Sequence, residues 1–90
     1  MYEIIIPDSC LKKVKKFFIK HPELKPSFQS ILEKITEDPL RPSLKLHPLQ
    51  GSLQGIWSVR LNYQYRILLT LKIEEKQVIL LNIGSHDDVY

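Results

Sequence analysis

Ninety residues, 43% of them hydrophobic and 26% charged, make one small globular domain and exclude a disordered or low-complexity chain. The net charge of +3 is a mild basic excess that suits an acidic or polyanionic partner. The single cysteine, Cys10, excludes an intrachain disulfide framework, and no apolar run approaches the ~20 residues that span a bilayer.

The start, "MYEIIIPDSC", lacks the basic head and long apolar stretch of a signal peptide, so a reducing, cytoplasmic setting is expected. "YEIII" (2–6) is β-branched and is stopped by Pro7, which predicts a first strand. "DS" then offers a helix N-cap. Leu11, Val14, Phe17 and Phe18 follow at helical intervals with lysines between them, and Cys10 sits beside this apolar stripe as a buried thiol. Charge between apolar helix positions is by default a solvated face. "KHPELKP" (20–26) breaks the helix, and a second one is predicted from about Ser27 through Phe28, Ile31, Leu32 and Ile35 to the "EDP" stop. His21, between the helices, reads as a surface bystander.

From Pro39 the chain changes character. Residues 39–55 hold three prolines and two glycines, with at most a short strand at "SLKL" (43–46). Three β-rich runs follow at 56–61, 64–73 and 76–83, joined by links short enough for antiparallel hairpins. The expected architecture is an α+β domain spanning 1–90. An N-terminal strand and a helical hairpin precede a three- to four-stranded antiparallel sheet. Gly84 is read as a tight reversal after the last strand.

Alternation puts Trp57, Val59 and Leu61 on one face and Ser58 and Arg60 on the other. Likewise Tyr65, Ile67, Leu69 and Leu71 oppose Arg66, Leu68 and Thr70. One face is thus apolar and ready for the helices. In register, Arg60 and Arg66 meet on the other, where like charges directly opposite are destabilising. An anion held between them is one reason for such a pair; splaying to solvent or pairing with Glu74, Asp87 or Asp88 is the other. His47 lies in the Pro/Gly segment, and His86, Asp87, Asp88 and Tyr90 crowd the tail.

Two histidines, two arginines and a tyrosine form a set suited to cleaving RNA without a metal. A base takes the ribose 2′-OH proton, an acid protonates the leaving 5′-oxygen, cations stabilise the phosphorane and an aromatic holds a base. Histidine suits the proton transfers and arginine the phosphate. No glycine-rich phosphate loop, zinc-ligand spacing or nucleophile elbow is present, and no cofactor or metal is expected.

Three stretches carry a family resemblance: "HPLQGSLQG" (47–55), "VRLNYQYRILLTL" (59–71) and "IGSHDDVY" (83–90). With the order of elements, they make the whole chain resemble the RelE/ParE superfamily of bacterial type II toxin–antitoxin toxins, nearest its YafQ-like branch. The resemblance implies a ribosome-dependent endoribonuclease that cuts mRNA in the A site and so inhibits translation. It implies His47 and His86 as the proton-transfer pair, with acid and base unassigned, Arg66 as the transition-state cation and Tyr90 as the nucleotide platform. Arg60, Gln64, Tyr65 and Lys45 are the expected RNA-binding residues. Arg60 falls near a histidine of YafQ-like members, Gln64 at an aspartate and Tyr65 at a tryptophan, which implies either a site that relies more on charge stabilisation than its relatives or one with a lower rate. The implied partners are an acidic antitoxin encoded nearby, forming a hetero-oligomer, together with mRNA and ribosomal RNA; no membrane is expected. A ParE-like, non-catalytic inhibitor of DNA gyrase and a degenerate interaction module are the competing readings.

Overall fold

The computed structural model describes residues 1–89, apart from the Asp88 side chain; Tyr90 lies outside the described residues. Strand β1 (Glu3–Ile5) leads into helix α1 (Asp8–Lys20), and a 3-10 turn at Pro22–Leu24 hands over to α2 (Lys25–Glu37). Strands β2 (His47–Pro48), β3 (Trp57–Arg60), β4 (Tyr65–Lys72) and β5 (Gln77–Ser85) follow, and a short helix α3 (His86–Val89) closes the described chain. Helices and strands are segregated as the sequence predicts, in an α+β domain.

The sheet has five strands in the order β1-β5-β4-β3-β2. The N-terminal strand joins it, running parallel to β5, while every other pairing is antiparallel. That parallel contact needs a long crossover, which the helical hairpin provides. One sheet face packs on the helices around Cys10, Val14, Phe18, Ile35, Val59, Ile67, Leu69, Val78 and Leu80. Burial pushes the Cys10 thiol pKa up against the opposing pull of Lys13.

Several local expectations are corrected. The helix begins at Asp8, with Pro7 at the N-cap position and no side-chain cap, so Asp8 serves the first turn as a charge. Residues 42–44 form a 3-10 turn, and the short strand lies at His47–Pro48 instead of 43–46. Lys45 adopts a left-handed φ of 52° between them, which breaks any extended run there. Gly84 does not turn the chain: β5 continues through it to Ser85, with Gly84 paired to Arg66.

The sheet face away from the helical hairpin is also less open than alternation suggests. Ser58 and Leu68 are buried there, at 0% and 4% exposure. The 49–56 segment folds back over it, fastened by a Leu49 N–H bond to the Ile56 carbonyl at 2.8 Å and a Thr70 Oγ1–H bond to the Gly55 carbonyl at 3.0 Å. Gly55 makes that path with a φ of 92°, a conformation that L side chains rarely adopt.

A register shift between Leu68 and Leu69 of β4 gives β5 one extra residue, Leu81, since Leu68 faces Asn82 while Leu69 faces Leu80. This bulge inverts the alternation. Val78 and Leu80 point into the core before it and Ile83 after it. The Asn82 side-chain oxygen stays local, accepting the Ile83 N–H at 2.9 Å.

Candidate active site

Two neighbouring rungs of the sheet build the site on the face away from the hairpin. One rung carries His47, Ser58, Leu68 and Asn82 across β2, β3, β4 and β5; the next carries Arg60, Arg66 and Gly84. Arg60 and Arg66 are direct cross-strand partners, as the hairpin alternation predicts. On its other side Arg66 meets only a glycine backbone. No carboxylate pairs with either guanidinium among the described side chains. Arg66 Nη1 has one long contact, 3.5 Å, to the Tyr63 carbonyl.

Above these rungs lies an open cavity of about 470 Å³ lined by His47, Leu49, Gln50, Leu53, Arg60, Arg66 and His86. Residues as far apart in sequence as His47 and His86 thus meet in one place. Leu49 and Leu53 supply an apolar wall that sequence reasoning did not single out; the spacing of leucines in "HPLQGSLQG" was the available signal. Such a wall lowers the local polarity on one side of the cavity and so favours the arginines' hold on a bound anion.

The two histidines differ in their surroundings. His47 Nδ1 lies 3.2 Å from the Lys45 carbonyl. A carbonyl only accepts, so this contact places a proton on Nδ1 and leaves Nε2 of the neutral ring as the acceptor. His86 is exposed at the start of α3, with Nδ1 3.8 Å from an Asp87 carboxylate oxygen that is itself fully solvated.

The remaining expected residues fall elsewhere. Lys45 contributes its backbone carbonyl to His47, while its exposed ammonium does not line the cavity. Gln64 and Tyr65 line a second cavity on the helical side. Tyr65 packs there edge-on against Phe17 at 5.0 Å between ring centroids and against His21 at 4.7 Å. His21 is accordingly half-buried in an aromatic cluster, with Glu23 3.6 Å from its Nδ1, and is not a bystander. Tyr90 lies outside the described residues. Among the described residues no group of three or more histidine, cysteine or acidic side chains is placed to hold a metal.

No protein-family model matches the chain, and no curated protein sequence matches it either. Solved structures do. The chain has the fold of the RelE/ParE-type toxins, in its YafQ-like form. YafQ from E. coli strain BL21(DE3) is 18% identical over 100% of this chain and 99% of its own, with a TM-score of 0.80. A metal-bound toxin from Helicobacter pylori is 27% identical over 100% of both chains, at 0.78. The match to the E. coli DinJ-YafQ complex has 22% identity, coverage of 100% and 99%, and a TM-score of 0.71.

Proposed function

We propose that this protein is the toxin of a type II toxin–antitoxin module and cleaves mRNA on the ribosome by acid/base catalysis. The observation that carries this reading is the convergence of His47, Arg60, Arg66 and His86 around one cavity. Its place on a YafQ-like fold supports it.

In this reading His47 is the base. Its Nε2 takes the proton of a ribose 2′-OH as that oxygen attacks the adjacent phosphorus. His86 gives a proton to the departing 5′-oxygen. The products are a 2′,3′-cyclic phosphate and a 5′-hydroxyl. Arg66, with Arg60 behind it, donates to the non-bridging oxygens as negative charge builds on the phosphorane. An anion between the two guanidiniums would relieve their like-charge repulsion, which suits their placement to binding of a phosphate.

The partner is a small acidic antitoxin encoded nearby, in keeping with a related fold solved as the DinJ-YafQ complex. It forms a hetero-oligomer with the toxin and covers the arginine cavity. Translation-coupled cleavage of a reporter mRNA tests the catalytic reading. The His86→Ala variant is expected to cut ~10²–10⁴-fold more slowly than the parent. Equal cutting by both removes His86 from the mechanism.

A further inference from the structure

The second cavity, about 430 Å³, opens on the helical side of the same strand ends. Three lysines of α1, Lys13, Lys16 and Lys20, stand along it at intervals of three and four, on one helix face. All three are exposed, and none forms an ion pair among the described residues. Its floor is aromatic: His21 and Tyr65 rings, 4.7 Å apart between centroids, with Phe17 behind and the Gln64 amide at the rim.

We propose that this cavity is a second RNA site, which holds a single-stranded segment continuous with the one being cut. Lysines along one wall suit backbone phosphates. An aromatic floor with an amide beside it suits an unstacked base. An acidic peptide would use the lysines alone and leave the aromatic floor without a role. Continuity with the arginine cavity comes from the strand register. Tyr65 and Arg66 are consecutive in β4 and point to opposite faces, opposite Ser85 and Gly84 of β5. A strand of RNA leaving the guanidiniums therefore crosses the end of the β4–β5 ladder, where α3 packs, before it meets Lys16 and Tyr65. The inference rests on the RNA-cleaving reading for its ligand class, and its test separates binding from cleavage.

The probe is a short, uncleavable 2′-O-methyl RNA oligonucleotide, with binding followed by fluorescence anisotropy over a range of salt concentrations. The full chain is compared with K13E/K16E/K20E, with the milder K13Q/K16Q/K20Q and with H47A/H86A; thermal melts check that each is folded. The glutamine variant guards against a misfolded helix, because it adds no negative charge near the helix C-terminus. Loss of three phosphate contacts is expected to weaken binding by tenfold or more and to lower the slope of log affinity against log salt by about 2. H47A/H86A is expected to keep most of its affinity.

Binding by both lysine variants within about twofold of the parent, at an unchanged slope, overturns the proposal, as does a parent chain that does not bind the probe. Loss of antitoxin capture in the lysine variants with RNA binding intact assigns the surface to a protein partner and also overturns it. A parent that cuts no reporter mRNA, yet loses RNA binding with its lysines, sinks the cleavage reading and leaves this site standing.

Discussion

Arg60 and Arg66 pull stability and function in opposite directions. Cross-strand like charges destabilise a sheet by ~0.2–1 kcal/mol, and no carboxylate among the described side chains offsets this pair. Arg66→Gln should therefore raise the melting temperature by a few degrees, since ~1 kcal/mol moves a domain of this size by ~4–8 °C. The same variant should lose ~10²–10³-fold in cleavage rate, the usual effect of removing one transition-state donor. A stability gain joined to an activity loss is the signature of a site that holds a cost for its ligand. An Arg66→Gln protein that melts lower would show that the pair is stabilised by contacts within the fold. Lys45 teaches a related lesson, because its useful atom is the carbonyl that orients His47, which any side chain at that position would present.

Among the elements, the helical hairpin, the three long strands and the Arg60–Arg66 register were legible because each rests on side-chain period alone. The same alternation already set Tyr65 opposite Arg66, and the structure indeed gives them different cavities. Less legible features depend on backbone geometry that leaves little periodic trace. The bulge at Leu81 sits in "VILLNI", apolar except for Asn82, and its single trace is that plain alternation from Val78 and Leu80 would carry Asn82 into the core. Its consequence reaches the site, since it settles which face Ile83, Gly84 and the start of α3 present. Deleting Leu81 should close the bulge into plain alternation, with Val78, Leu80 and Ile83 all still facing the core. The deletion variant should therefore melt within a few degrees of the parent and keep its cleavage activity. A deletion that melts much lower and cuts nothing would mean that the bulge itself, through the local twist it adds, sets the place of His86. The loop over the sheet offers a milder test. A Cβ at Gly55 meets nothing within 4 Å, so Gly55→Ala costs only its φ of 92°, ~1–2 kcal/mol in a thermal melt.

For the molecule as a whole, the two readings to separate are catalysis on RNA and inhibition of gyrase by binding alone. They diverge in what they ask of the histidines. His47 and His86 are both exposed and lie outside the hydrophobic core, so replacing them removes little packing. A protein that acts by filling a partner's surface tolerates the loss of two rim imidazoles, because exposed rim groups carry little binding energy. A catalyst does not, since both proton transfers disappear. H47A/H86A is therefore expected to melt within a few degrees of the parent, to retain antitoxin binding and to leave growth unaffected when expressed without antitoxin. Growth arrest by this double variant, accompanied by loss of supercoiling activity in a gyrase assay, would instead assign the protein to the binding mode. The basic face of α1 would then be read as its contact surface.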